Sequence, residues 1–566
     1  MRDPSGPGRL AAGVTGLFMI VYTLQAWPAL SLWSPTFDEP AHIGAGLSYL
    51  RTGDFKVNLQ HPPLLKEIAA VPLVLSGVPF PMGEADWKAV PTPPADAILQ
   101  WQLGSAVIYD GGDPVGVMFR ARLPFLAMTL ALIAVVYAFG RSLVGAGAAA
   151  AAAGIVALDP TLVAHGPLVT TDTGFALAAL LFLWALWRWL ARRTLKGLAI
   201  AGVALGVALA AKFTGLLLLP VALALVVAAA GWVPSLPGKV SNPVDPYASE
   251  GKSPRLFWGC VALAILIAIA ALTIHAVYFL PSDPLLYIKG VLLVNADHDP
   301  TYLPYMAGSF KPRFWTYYLM AWLLKEPLPV IILFGCGLVA LFRRDRAASS
   351  LDRAFLLWPP LCLFLFYTFL SHNLGFRYLI PALPFLHLVA GAGAAWLWRS
   401  GALLRRAAAI ALGGWLLLNA WGIRPDHLSF FNETACLWID PARIGLDGGS
   451  ACGPRWLDDS NVDWGQGLRQ LKAWLDANAP GRPIGLAYFG TGRPSAYGID
   501  AGRLTGQDVE RGLPPGLHAI SAHTLARSMG MLALRHGDGP GNWIAHTPPR
   551  AIVGHAFYVY DIAPGR

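Results

Sequence analysis

"LAAGVTGLFMIVYTLQAWPALSLWSPTFDEPAHIGAG" runs from Leu10 to Gly46 and carries two messages. Residues 10–32 are apolar almost throughout, and a membrane-spanning helix needs about 20 such residues. The run is too long for a signal-peptide core and lacks a clear small-residue cleavage site, so it reads as a retained helix. Directly after it, Asp38 and Glu39 lie between Pro35 and Pro40, with His42 close behind. Charges beside a bilayer cost free energy, so such a cluster either sits in water or has a task.

The rest of the 566-residue chain repeats the first message. It is 55% hydrophobic and only 13% charged, against about 25% in ordinary soluble domains. Apolar blocks alternate with short polar connectors up to Gly422, after which the composition becomes that of a soluble domain. The expected organisation is a transmembrane domain over 1–422 and an external α/β domain over 423–566. Candidate spans are 10–32, 118–140, 143–161, 171–190, 195–211, 213–231, 257–280, 327–342, 354–371, 377–398 and 404–422. The run 195–231 reads either as one broken helix or as two short ones around Lys212.

The net charge of +9 does not point to nucleic acid. Its clusters (Arg192, Arg193 and Lys196; Arg343, Arg344 and Arg346; Arg399, Arg405 and Arg406) fall in short loops between apolar blocks. Such loops mark the cytoplasmic side of a membrane. With the N-terminus inside, these eleven spans put every cluster in the cytoplasm and put segments 33–117, 281–326 and the tail outside.

Cys260, Cys336 and Cys362 lie in apolar spans and read as small core residues. Cys436 and Cys452 both fall in the external tail, where a disulfide and two free thiols are equally open readings. The tail has strand-type runs at Ile484 to Phe489 and Ala551 to Tyr560 and a helical stretch at Gly465 to Ala477. The Ala-rich run 146–153 suits close packing between membrane helices.

On this topology the ionisable groups of the apolar domain gather on one side. They are Asp38, Glu39 and His42; His61 in "NLQHPPLLKE"; His165 and Asp172 in "HGPLVTTDTG"; Lys212 in "ALAAKFTGLLLLP"; Asp297, His298 and Asp299 in "DHDPTY"; and His372 and Arg377 in "SHNLGFRYLIP". Each has a bland reading, such as solvated carboxylates at a helix start, a snorkelling Lys212, or a capping Asp172. Six such readings on one face are harder to accept together. Carboxylates beside cations at a membrane surface suit a lipid-linked phosphate donor: cations hold the phosphate, with Arg offering a two-pronged grip, and a carboxylate takes the proton of an attacking hydroxyl.

At these residues the sequence resembles the polyprenyl-phosphate-dependent glycosyltransferases of the GT-C fold, the superfamily of protein O-mannosyltransferases and ArnT-like aminoarabinose transferases. The resemblance rests on "FDEPAHIGAG", "HPPLLKE", "DPTLVAHGPLVTTDTGFAL", "GVALGVALAAKFTGLLLLP", "YLPYMAGSFKPRFWTYYLMAWLLKEPLPVIIL" and "GFRYLIPALPFL". It ends on "FFNETACLWIDPARIGLDGGSACGPRWLDDSNVDWGQGLRQLKAWL", which is similar to the tail of bacterial members. It implies a mainly α, polytopic bacterial inner-membrane enzyme with its site and tail facing the periplasm. It also implies a polyprenyl-phosphate sugar donor, inversion at the anomeric carbon, and a protein, lipid or glycan acceptor. Carried over by position, Asp38 is the catalytic base, Glu39 its neighbour that tunes it or positions the acceptor, and Asp172 a second acidic group. Lys212 and Arg377 hold the phosphate, joined by His61, which with Gln60 replaces a Glu-Lys pair of the aminoarabinose transferases. His42, Asp297 and His298 fall to the acceptor side or loop.

A divalent metal would need three loops to bring His61, Asp172, Asp297, His298 and Asp299 together, and the expectation is that no metal is bound. Asp458, Asp459, Asn461 and Asp463 lack the Gly and Glu of a calcium loop in register. Asp463 instead reads as the start of a capped amphipathic helix with Leu468, Leu471 and Leu475 on one face, covering the site's mouth or selecting the acceptor. The "NET" at Asn432 is too short a pattern to weigh. A transporter or flippase of lipid-linked sugars is the rival reading, but it predicts repeated halves and a midplane site, and no internal repeat is visible. A membrane-anchored binding module leaves the external loops unexplained.

Overall fold

The computed structural model describes residues 6–94, 96–232, 252–296, 301–343 and 349–564. All eleven apolar runs are helical, but they differ in length. Among the described residues, seven helices are long and apolar enough to cross a membrane: Gly8–Ser31, Pro114–Leu143, Thr171–Arg192, Phe257–Val277, Ser350–Leu370, Phe376–Arg399 and Leu403–Gly422. Ala146–Leu158, Leu195–Ala211 and Phe213–Ala229 are shorter, and Leu328–Phe342 bends by 111° against Tyr317–Lys325. The expected span 143–161 therefore needs correcting. Its helix stops at Leu158, and Asp159 starts a new short helix, Pro160–His165, by accepting from Leu162 N at 2.8 Å. At 1.5 Å per residue, thirteen residues reach about 20 Å, short of a bilayer's hydrocarbon thickness of about 30 Å. The run around Lys212 resolves as two helices, because Lys212 itself is extended (φ −157°, ψ 139°) between Leu195–Ala211 and a 3₁₀ turn at Phe213–Leu217.

Between the first two long helices, the chain packs three short, largely buried helices, Glu39–Thr52, Leu64–Leu75 and Leu99–Tyr109. The glycines of "AHIGAG" are there for backbone contact. A Cβ on Gly44 would lie 2.6 Å from Gly104 N, and one on Gly46 would clash with Lys66 O. The helix that follows Asp38 is thus clamped on two sides without side chains to cushion it.

The tail folds around a five-stranded sheet. Its strands are β3 (Ile484–Ala487), β4 (Ala501–Arg503), β5 (Gly516–Ser521), β6 (Ala551–Val553) and β7 (Phe557–Ile562), after a two-residue hairpin of β1 (Tyr305–Met306) and β2 (Ser309–Phe310). The order is β4-β3-β5-β7-β6, with β4, β3 and β5 parallel and β7 antiparallel to β5 and β6. Strand alternation divides the two faces. Leu486, Leu517, Ala519, Phe557 and Val559 cover the helix Leu468–Asn478, whereas Ile520, Tyr558 and Tyr560 join the core beneath Ala522–His536. Leu468, Leu471 and Leu475 are buried as the spacing predicts, but the helix begins four residues later than expected of Asp463 as its cap. The Asp463 carboxylate closes a turn instead, accepting from Gly465 N at 2.9 Å. Cys436 and Cys452 form a disulfide, their Cα atoms 5.3 Å apart.

A histidine latches this domain to its stem. His555 Nδ1 meets Asp426 Oδ2 at 3.2 Å, and Nε2 meets Asp447 Oδ2 at 3.1 Å. Burial alone would lower the imidazole's pKa, but the two carboxylates outweigh it and push the pKa from 6.5 up to about 9. The latch therefore contributes fully below pH 6.5 and is lost as pH rises through about 9. His555→Asn is expected to cost on the order of 2 kcal/mol at pH 6 and little at pH 10. Thermal unfolding of both proteins across that range checks it, and equal losses at both pH values would sink the idea.

Candidate functional site

Asp38 and Glu39 are neighbours with opposite surroundings. Glu39 is completely buried and points away from solvent. Its Oε1 accepts from Arg122 Nε at 2.8 Å and from Val169 N at 3.0 Å. Its Oε2 accepts from Thr36 N at 2.8 Å, from the Thr36 hydroxyl at 3.0 Å and from Arg122 Nη2 at 2.5 Å. Arg122, fully buried in the long helix Pro114–Leu143, sends its other donors to the carbonyls of Ala29, Trp33 and Ser34. All five guanidinium donors are used. Burial would raise the Glu39 pKa, but the Arg122 charge and these hydrogen bonds outweigh it and hold the carboxyl below its ordinary value. Glu39 is thus the peg that fixes the turn between the first helix and the next, and it does not reach the cavity.

Asp38 sits one residue earlier and makes no cap with its side chain. Its Oδ2 accepts from Arg377 Nη1 at 2.9 Å. The same nitrogen lies 3.8 Å from Asp172 Oδ2, and Asp172 Oδ1 is paired with the Lys212 ammonium. Two carboxylates and two cations therefore alternate in one row, brought from four separate segments. The Tyr378 ring lies against both cations, 4.7 Å from Lys212 Nζ and 5.2 Å from Arg377. Asp38 is 24% exposed, Arg377 14%, Asp172 only 1% and Lys212 8%.

The row borders a cavity of about 320 Å³. Asp38, Lys212, Arg377, His42 and His61 line it together with Phe213, Val294, Phe366 and Leu370. A pocket lined by both charged and apolar side chains suits a ligand with a phosphate joined to a lipid. Arg377 Nε is buried and has no hydrogen-bond partner among the described residues.

His42 and His61 meet edge to face with ring centroids 5.0 Å apart. Burial, opposed by the Asp38 charge, lowers the His42 pKa to about 4, and burial together with the neighbouring cations drives His61 well below 6.5. Both are neutral near pH 7, so His61 can offer a phosphate one N–H but no charge. Its loop is held from below by Lys66, whose buried ammonium donates to Asn58 O and His61 O, each at 2.7 Å.

The tail reaches this site directly. Ser34 N and Phe37 N donate to Gln466 O and Trp464 O at 3.0 and 2.8 Å, and Phe376 N donates to Asn461 Oδ1 at 2.9 Å. The Arg377 guanidinium lies 4.2 Å from the centre of the Trp464 ring. Segment 458–466 is therefore a roof over the residues flanking both Asp38 and Arg377. Gly465 makes the turn possible at φ +92°.

Asp38, Asp172, Lys212, Arg377, His42 and His61 converge as the sequence reading expects. Asp297, His298 and Asp299 lie outside the described residues. Arg122, Lys66, Trp464 and Tyr378 carry the site without having been picked out beforehand. For Arg122 a signal existed: an arginine inside a candidate span, near its start and two residues after Arg120, must find partners there.

The fold and this cavity define a multi-pass membrane protein with a charged pocket against its apolar helices, roofed by a C-terminal α/β domain. Residues 115–237 match the family described as dolichyl-phosphate-mannose-protein mannosyltransferase. That match bears out the resemblance to polyprenyl-phosphate-dependent glycosyltransferases. No curated protein matches the sequence. Among solved structures, ArnT from Cupriavidus metallidurans bound to undecaprenyl phosphate is similar at 14% identity and TM-score 0.47, over 98% of each chain. The oligosaccharyltransferase AglB from Archaeoglobus fulgidus, in complex with an inhibitory peptide and a dolichol-phosphate, is similar at 15% identity and TM-score 0.43. That likeness covers 83% of this chain and 58% of the other.

Proposed function

We propose that the chain is an inverting glycosyltransferase that moves one sugar from a polyprenyl-phosphate donor to an acceptor at the external face of the bacterial cytoplasmic membrane. The observation that carries this reading is the Asp38–Arg377–Asp172–Lys212 row beside a half-apolar cavity. In the reaction, Asp38 takes the proton of an acceptor hydroxyl as its oxygen attacks the anomeric carbon. The bond from that carbon to the phosphate oxygen breaks on the opposite side, and the lipid phosphate leaves with the electron pair. Arg377 and Lys212 take up the phosphate charge, so no covalent enzyme intermediate is needed. Donor binding also matters for the base. A phosphate competing for the Arg377 guanidinium loosens its 2.9 Å hold on Asp38 and frees the carboxylate to accept a proton.

Two assays test this. Purified protein in lipid is incubated with radiolabelled undecaprenyl-phosphate sugars and a membrane and periplasmic extract. Label should move to an extract component in one anomeric form, inverted relative to the donor; label crossing the bilayer without transfer would favour a flippase instead. Arg377→Ala should weaken donor binding by about 10-fold or more, a charge-assisted hydrogen bond contributing about 1.5–3 kcal/mol. An unchanged apparent donor affinity would remove Arg377 from the phosphate site.

A further inference from the structure

A second cluster of ionisable groups lies outside the cavity. Asp159, Glu326 and His387 are all at most 1% exposed. His387 Nε2 lies 3.0 Å from Glu326 Oε1 and 3.4 Å from Asp159 Oδ2. One oxygen from each carboxylate and one imidazole nitrogen all fall within 4.8 Å of one another. The cluster has spare capacity: Asp159 Oδ2, Glu326 Oε2 and His387 Nδ1 are buried and accept or donate no hydrogen bond among the described residues.

Two buried carboxylates need compensating charge, and the nearby cation does not supply a direct partner. Lys325 Nζ is bound to Leu428 O at 2.8 Å and to Asn461 O at 2.6 Å, and lies 4.5 Å from the Phe431 ring centre. Beyond His387, no ion-pair partner of Asp159 or Glu326 occurs among the described residues. The separations of 3.0 and 3.4 Å are close to the edge of about 3.3 Å between ligand atoms on a tetrahedral ion with bonds of about 2.0–2.2 Å. Two carboxylate oxygens and one imidazole nitrogen suit a borderline divalent ion such as Zn2+ or Mn2+. With a neutral imidazole, such an ion balances both carboxylates.

We propose that Asp159, Glu326 and His387 hold one structural divalent transition-metal ion. Two of the three stand at interruptions of the helices: Asp159 lies between Ala146–Leu158 and Pro160–His165, and Glu326 lies at the 111° bend, while His387 lies inside the continuous helix Leu383–Arg399. The ion would tie two breaks in helical hydrogen bonding to one unbroken helix. It is separate from the sugar-transfer cavity, which none of the three residues lines.

The test uses the full chain, purified in detergent, loaded with Zn2+ or Mn2+ and dialysed free of excess. Wild type and His61→Ala should each retain about one metal per chain by elemental analysis, and His387→Gln should retain less than a tenth of that. X-ray absorption on the wild type, which needs no variant to fold, should give oxygen and nitrogen neighbours including one imidazole, and no sulfur. Chelation should lower the melting temperature of the wild type, and adding back the metal should restore it. Absence of stoichiometric metal, a sulfur shell, full retention in folded His387→Gln, or loss in His61→Ala would overturn the assignment.

Discussion

Asp38→Asn is expected to cut sugar transfer by about 10²- to 10⁴-fold, the range over which a positioned general base contributes. Asn has the same shape, and its side-chain oxygen can still accept from Arg377 Nη1, now 2.9 Å from Asp38 Oδ2. The turn around it is held by Glu39 and Arg122, which the substitution does not touch. Folding and donor affinity should therefore stay within a few-fold of wild type while turnover collapses. A transfer assay at saturating donor, read beside a donor-binding measurement, separates the two. Near-normal turnover would show that the acceptor proton goes elsewhere. Equal losses of turnover and donor affinity would mean that Asp38 acts on Arg377 and not on the acceptor.

The parts of this fold that are legible in the sequence are those written in local composition. Twenty-residue apolar runs announce helices, and all eleven appear. Their ends are less legible, because Asp159 and Glu326, each followed by proline, interrupt helices that hydropathy alone would continue. Asp38, Lys212 and Arg377 stood out because each is a charge in an apolar neighbourhood, yet their pairing was not readable. Asp38 and Arg377 are 339 residues apart, and only tertiary packing decides which cation meets which carboxylate. The same distance hid the different fates of Asp38 and Glu39. Nothing local says that Arg122, on another helix, claims Glu39 and leaves its neighbour exposed. In the tail, apolar runs of strand type revealed β3 and the run Ala551 to Tyr560, but that run folds back on itself as β6 and β7, and the order β4-β3-β5-β7-β6 depends on connections that strand patterns do not encode.

Arg122→Met should destabilise the protein by about 3–5 kcal/mol, the usual cost of removing one partner from a buried ion pair. The reason is less the lost attraction than what stays behind. Glu39, fully buried, would keep hydrogen bonds only from Thr36 and Val169, and the carbonyls of Ala29, Trp33 and Ser34 would lose their donor. Arg122→Lys should also fall short, since an ammonium cannot make the two-pronged contact at 2.8 and 2.5 Å while reaching three carbonyls. Pairing Arg122→Met with Glu39→Gln removes the stranded charge, so the double variant should be more stable than the sum of the single effects predicts. Thermal unfolding of the four proteins in one detergent reads this cycle directly. If Arg122→Met melts like the wild type, Glu39 is not held as a buried carboxylate. If the cycle instead shows strong coupling, the peg that orients Asp38 is built from a residue pair with no direct part in the chemistry. Turnover in the double variant should then fall further than its stability, because Asp38 would keep its carboxylate and lose its place.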